Sequence, residues 1–398
     1  MLSIKISLKE IIWHIFSIIF AFYATRPNEI LLLNQFGVFH GEILVPIILS
    51  LLLLIRLLNN NFISIEILEY LLLIIVFTTF VYSHIIDGHE ILNLNNLTIP
   101  IAVYLIFMSF FLSNVIEIKN IKLILIYFIF FMGLLIAIVI FQNPDFYYQN
   151  NPQSGRYNYP FVPFGMDKNT YSMLLVVMAL SSATLSRCYK IKIKTHYFFL
   201  VITLGSLVYA GLMQTRATYP LILMIFIILF MNSRLFFKYI FALLILFIPI
   251  FFIINGLNLF DYDRSGSNNI RLEMIKMSLN AFIDQPFFGV ADPLIYNQKK
   301  ILLSVDHNIF SLILGYFGVF TFALVFYFYA RSFIQYKINK SIILLGLFLA
   351  YIVMLFFTPF YLIYASLIPF IVFRIECNNF IYYKKFPTNN IIFFNHKI

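Results

Sequence analysis

Long apolar runs, separated by charges or prolines, divide almost the whole chain. Each is close to the roughly 17–25 residues that an α-helix needs to cross a bilayer. Only 11% of the 398 residues are charged, against about 25% in soluble domains, which excludes a soluble fold. We therefore predict an all-α, polytopic integral membrane protein with about 12 transmembrane helices, in which residues 1–398 form a single membrane domain. The predicted spans are 10–25, 43–58, 66–86, 97–116, 122–142, 169–186, 197–213, 217–232, 237–254, 307–329, 341–357 and 360–374.

The Lys and Arg residues indicate how these spans are oriented. With a cytoplasmic N-terminus, 18 of the 27 Lys and Arg residues fall in cytoplasmic segments, and 12 of the 17 Asp and Glu residues fall outside. An excess of Lys and Arg in short cytoplasmic loops is the expected signal. The net charge of +10 therefore reflects topology and is no sign of nucleic-acid binding. Cys188 and Cys377 lack metal-ligand spacing and fall on the reducing side, so neither a disulfide nor a zinc site is expected.

One long polar stretch interrupts the apolar pattern and is predicted to form a large outer loop, 255–306. Within it, the spacing of apolar residues over 270–283 predicts an amphipathic helix on the membrane surface. Asp284 and Pro286 would end this helix, and Gly289 completes a turn signal. The predicted apolar face consists of Ile270, Met274, Met277, Leu279, Ala281 and Phe282.

Three arginines on the outer side are candidates for binding a phosphate group. Arg216 lies between two apolar runs, where a charge is costly and usually functional; the alternative is an interfacial arginine that reaches lipid headgroups. Arg271 stands near the start of the predicted surface helix, where the helix dipole gives a cation no advantage. Arg264 can instead pair with Asp261 and Asp263. Two carboxylates so spaced could hold a divalent metal, although pairing with Arg264 explains them equally well.

His307 and Asn308 open an apolar helix in which Gly315 and Gly318 permit close packing. A histidine can accept a proton at neutral pH and so act as a general base; the alternative is a helix-capping or interfacial residue. A loop over 143–168, rich in Tyr, Asn and Pro around Arg156, suits glycan binding, but tyrosines also collect at membrane interfaces.

Several short motifs resemble those of the O-antigen ligase and polymerase superfamily. They are Gln214-Thr215-Arg216-Ala217-Thr218 after an apolar helix, the segment from Arg271 to Pro286-Phe-Phe-Gly289, and His307-Asn308 before a helix with a central glycine. The segment Gly165-Met-Asp-Lys-Asn169 is similar to the start of the family's middle helix. Their order and side of the membrane also agree with the family. Gln214–Thr218 and the helix after Arg271 look more like the O-antigen ligase branch.

This resemblance implies a glycosyltransferase of lipopolysaccharide biosynthesis in the bacterial inner membrane, with its active site facing the periplasm. It implies transfer of a glycan from undecaprenyl diphosphate to a sugar hydroxyl of the lipid A core, without metal, nucleotide sugar or other cofactor. By motif, His307 would be the catalytic base, and Arg216, Arg271 and Arg264 would contact the donor diphosphate. Arg156 and Asn308 remain candidates for glycan binding. Asp306, directly before His307, departs from the ligase pattern.

Two other functions fit parts of the pattern. An O-antigen polymerase would use the same lipid-linked donor and extend a second lipid-linked glycan. A transporter would carry charged residues near the bilayer midplane and interrupted helices in repeated halves. The spans here are nearly free of charge, which disfavours a transporter.

Overall fold

The computed structural model is helical, apart from one small ribbon. It describes residues 8–26, 118–142, 149–151, 156–158, 162, 166, 168–188, 193–212, 218–230, 265–290, 309–339, 342–357 and 364–385. The helices in these ranges are α1 (Leu8–Ala24), α2 (Ile118–Gln142), α3 (Lys168–Cys188), α4 (Ile193–Leu212), α5 (Thr218–Phe230), α6 (Ser265–Asp284), α7 (Ile309–Asn339), α8 (Ile342–Phe357) and α9 (Tyr364–Lys385). The ribbon pairs β1 (Gln149–Asn151) with β2 (Arg156–Asn158) in antiparallel register.

The described helices coincide with eight of the predicted spans. Four of them contain stretches long and apolar enough to cross a membrane, namely Asn120–Phe141, Asn169–Ser186, Ile193–Gly211 and Phe310–Ile334. The chain is therefore a multi-pass helical membrane protein. The predicted spans 43–58, 66–86, 97–116 and 237–254 lie outside the described residues, so the total of twelve and the limits of the outer loop stay predictions. The ribbon is the one departure from an all-α fold among the described segments.

Helix α3 is the centre of the helical bundle. Every residue from 171 to 186 is buried, and α3 packs against α2, α4, α5 and α9. Of the four candidate spans it is the least apolar and the most buried. Its small side chains allow the neighbouring backbones to approach closely, and its hydroxyl side chains form hydrogen bonds across the interface. The Ser182 and Thr203 hydroxyls, for example, are 2.7 Å apart across the α3–α4 contact.

An aromatic cluster joins the last three helices. The Tyr351 ring of α8 stacks on Phe370 of α9 with centroids 4.7 Å apart, and the Tyr329 hydroxyl of α7 is hydrogen-bonded to that of Tyr351 at 3.1 Å. Nearby, the buried Arg374 guanidinium donates to the Ser332 hydroxyl at 3.1 Å. These contacts anchor the second half of α7 to α8 and α9.

Helix α6 confirms the predicted helix within the polar stretch, although it is longer, and it packs against α7. Met274, Met277 and Ala281 are buried as predicted. The prediction was wrong for Leu279, which is 39% exposed, because the buried small residue Ser278 takes its place in the contact with α7. A bulky side chain at position 278 would prevent the close approach described below.

Candidate active site

Helix α7 is two helices joined at a break. Gly318 has φ 72° and ψ −172°, so residues 309–317 and 319–339 are separate helical segments. This backbone conformation is accessible essentially only to glycine. A Cβ at position 318 would also collide with the backbone of Phe287 and Phe288. The position therefore requires glycine both for its dihedral angles and for the close approach of another segment.

The turn that follows α6 fills this break. In an unbroken helix the Val319 amide would donate to the Gly315 carbonyl four residues earlier. Instead, the Val319 amide donates to the Pro286 carbonyl at 2.8 Å, and the Gly315 carbonyl accepts from the Val290 amide at 2.9 Å. Both backbone groups released by the break thus find new partners, as backbone groups inside a membrane protein require.

Two further glycines let the segments approach this closely. Gly289 has φ 67°, and a Cβ there would meet the backbone between Gly315 and Phe317. At Gly315 a Cβ would lie 2.8 Å from the Ser278 carbonyl oxygen and 3.0 Å from its Cα. Backbone therefore packs directly on backbone where α6 meets α7. We call the assembly of residues 271–290 with residues 309–319 the paired-helix unit.

Replacing Gly318 by alanine is expected to destabilise the folded protein. The strained backbone conformation costs about 1–3 kcal/mol for a residue other than glycine, and the added Cβ would displace the Phe287 backbone. The purified variant should show a lower melting temperature and a lower yield from membranes. Gly133→Ala is the matched control, because a Cβ there meets no atom within 4 Å. Equal melting temperatures for the two variants would contradict a structural need for glycine at the break.

The contacts also fix the relative direction of the two helices. Ser278 lies against Gly315, and Pro286 is bonded to Val319. The Gln285 amide donates to the Ala281 carbonyl and the Gly289 amide to the Gln285 carbonyl, so the helical turn continues past Asp284. Ser278 and Pro286 are therefore about 12 Å apart along the axis at 1.5 Å per residue. Antiparallel helices would leave Pro286 and Val319 about 18 Å apart, whereas the Val319 nitrogen is 2.8 Å from the Pro286 oxygen. Helix α6 and the first half of α7 therefore run in the same direction, and their starts lie at the same end.

The paired-helix unit contains one predicted site residue and directly follows two others in the sequence. Arg271 lies in α6, two turns before Ser278, and its Cα follows the same helix face because seven residues make almost two full turns. His307 and Asn308 lie outside the described residues, directly before Ile309, where α7 begins. The structure thus brings Arg271 and the start of the helix after His307 to the same end.

The other candidate site residues lie outside the paired-helix unit in the sequence. Arg264 and Asp306 fall outside the described part of the chain, and so does Arg216, between α4 and α5. Arg156 lies in β2, paired with Asn151 of β1. Asp261 and Asp263 are also outside, and among the described residues no group of three or more His, Cys, Asp or Glu side chains could hold a metal ion.

Helix α4, which precedes Arg216 in the sequence, ends beside the start of α3. The Tyr171 and Tyr209 rings meet edge to face with centroids 5.7 Å apart, and the Ser172 hydroxyl donates to the Ala210 carbonyl at 3.4 Å. The start of α3 and the end of α4 are therefore adjacent. The segment after Asn169 and the segment before Arg216, which are far apart in the sequence, share this end of the bundle.

Sequence reasoning missed the break in α7 and the role of Ser278. The sequence predicts a turn at Pro286 and Gly289 and close packing at Gly315 and Gly318, but it does not predict the contact between the two motifs. The signal available was the presence of a Pro-x-x-Gly turn and a Gly-x-x-Gly helix, two motifs with the same three-residue spacing.

The described helices define a class of protein, the multi-pass helical membrane proteins. Residues 197–326 match the family model described as O-antigen ligase. This match supports membership of the O-antigen ligase family, within the ligase and polymerase superfamily of membrane glycosyltransferases. The matched range includes Arg216, Arg264, Arg271 and His307 but not Arg156. Comparison with curated proteins gives no match.

Proposed function

We propose that this protein is an O-antigen ligase of the bacterial inner membrane. It transfers a glycan from undecaprenyl diphosphate to a sugar hydroxyl of the lipid A core on the periplasmic face. The observation that carries this proposal is the parallel direction of α6 and the first half of α7. It brings Arg271 to the same end as the start of the helix that follows His307. A cation and a base are the two groups that the reaction needs close together.

The proposed reaction is a single inverting displacement. The acceptor hydroxyl oxygen attacks the anomeric carbon of the donor glycan, and His307 takes the hydroxyl proton. A bond forms between the acceptor oxygen and the anomeric carbon, while the bond from that carbon to the diphosphate oxygen breaks. The bonding electrons leave with the diphosphate. Developing negative charge is therefore concentrated on the leaving group.

Arginines suit this leaving group better than lysines would. Each guanidinium remains charged and presents parallel N–H donors that match two phosphate oxygens. Fixed cations in a site with little water stabilise developing charge without a metal ion. We assign donor binding to Arg216, Arg271 and Arg264. Arg156 and Asn308 are assigned to contacts with the glycan.

Deleting the gene tests this function against that of a polymerase. A ligase deletion is expected to leave bare lipid A core on a lipopolysaccharide gel, while polymeric glycan accumulates on the carrier lipid. Loss of a polymerase would instead leave core that bears a single repeat. A plasmid copy of the intact gene should restore the original ladder, and the His307→Ala copy serves as the inactive control. An unchanged ladder in the deletion strain would contradict both functions.

A further inference from the structure

We infer that Gly315 is a positioning residue for glycosyl transfer. By letting α6 lie against α7 without an intervening side chain, it sets the separation between Arg271 and the start of α7 at Ile309. This inference rests on the proposed function, because Arg271 and His307 are assigned there to the donor and to the acceptor hydroxyl. Gly315 itself has no side chain and would touch neither substrate.

The position of Gly315 within the paired-helix unit supports this role. Arg271 is about 10.5 Å along α6 from Ser278, and Ile309 is about 9 Å along α7 from Gly315, at 1.5 Å per residue. The contact between Ser278 and Gly315 thus lies about two turns from Arg271 and from Ile309, where α7 begins. The two distances are nearly equal, so a change of separation or tilt at the contact moves Arg271 and Ile309 relative to one another.

The contact has no space for a side chain. A Cβ at position 315 would lie 2.8 Å from the Ser278 carbonyl oxygen, 3.0 Å from its Cα and 3.1 Å from its Cβ. Two of these atoms belong to the backbone, so rotating a side chain cannot relieve the overlap, and the helices must separate. The main-chain bonds from Val319 to Pro286 and from Val290 to Gly315 hold the other end of the unit. The displacement would therefore concentrate at the end with Arg271 and Ile309.

The first test is the rate of the Gly315→Ala enzyme. Misplacing catalytic groups by about 1 Å can lower a rate by about 10²-fold, and we expect a loss of kcat of that size. Purified enzyme in proteoliposomes, supplied with lipid-linked glycan and lipid A-core acceptor, gives kcat from initial rates. Gly133→Ala and Gly205→Ala are matched controls in other helices, since a Cβ at either position meets nothing within 4 Å. Both should keep the unmodified kcat.

A double-mutant cycle separates positioning from a general loss of structure. In an Arg271→Ala background there is no guanidinium left to misplace, so adding Gly315→Ala should lower kcat by much less than about 10²-fold. In an Arg216→Ala background the full loss should remain, because Arg216 is not part of the paired-helix unit. Equal losses in all three backgrounds would overturn the inference in favour of a merely structural glycine.

Further outcomes distinguish this inference from the proposed function. An unmodified kcat for Gly315→Ala, alongside an inactive His307→Ala enzyme, would overturn the positioning role and leave the function standing. Absence of transfer by the unmodified enzyme would overturn both. If Gly315→Ala does not accumulate, Ser278→Thr adds one methyl group to the same contact from α6 and should show the same dependence on Arg271. Asn280→Thr, at an exposed position of the same helix, controls for the branched side chain.

Discussion

Replacing His307 by alanine is expected to lower the transfer rate by about 10²–10⁴-fold, the usual contribution of a general base. The acceptor hydroxyl would have to lose its proton to water as it attacks the anomeric carbon. Initial rates in proteoliposomes measure the effect, and the amount of protein in the membrane fraction should remain unchanged. Because the proposed role of His307 is proton transfer, the loss is expected in kcat and not in yield.

His14→Ala is the matched control for that experiment. The His14 ring lies within α1 and is hydrogen-bonded to the Tyr127 hydroxyl of α2 at 3.0 Å. Removing it deletes a bond between two helices, which affects stability, and leaves the proposed base in place. A His307→Ala enzyme as fast as the unmodified protein would exclude His307 as the base. The capping interpretation of this residue would then be the better one.

Replacing Arg216 by alanine is expected to lower kcat by about 10²–10³-fold, the loss seen when one fixed electrostatic donor is removed from an active site. Arg216→Lys should retain part of the rate, because the charge remains while the paired N–H donors are lost. Arg234→Ala is the control, since Arg234 is predicted to lie on the cytoplasmic side. Equal rates for Arg216→Ala and Arg234→Ala would favour the headgroup interpretation of Arg216.

The apolar runs predicted where helices occur but not where they end. The span predicted over 307–329 corresponds to a helix that continues to Asn339, and the span over 360–374 to one that continues to Lys385. In both cases the apolar pattern stops at the first charged residues, whereas the backbone hydrogen bonds continue beyond them. Hydropathy reports the environment of the side chains, and the end of a helix depends on its backbone.

The ribbon and the break in α7 escaped prediction for a different reason. β1 and β2 have three residues each, too few for an alternating pattern to be recognised. Gly318 is compatible with an intact, closely packed helix until residues 286–290 are placed against it. Both features depend on partners distant in the sequence, and local periodicity contains no information about those partners.

For the candidate site, the sequence predicts which residues belong to it but not how they are arranged in space. The motifs around Arg216, Arg271 and His307 indicated which residue types belong together and on which side of the membrane. The direction of α6 relative to α7 could not be predicted, because it is determined by two backbone hydrogen bonds and by the space that Gly315 leaves free. Because of the same contact, the interface contains Ser278, whereas the apolar pattern predicted Leu279.

The composition of α3 bears on how the chain enters the membrane during synthesis. Ser172, Ser182 and Ser186 are hydrogen-bonded to Ala210, Thr203 and His196 of α4. These partners leave the ribosome only after α3 itself. Polar groups in lipid without partners are costly, so α3 alone is a poor substrate for insertion. We therefore expect α3 and α4 to insert as a hairpin, in which α4 supplies hydrogen-bond partners for Ser172 and Ser186 of α3.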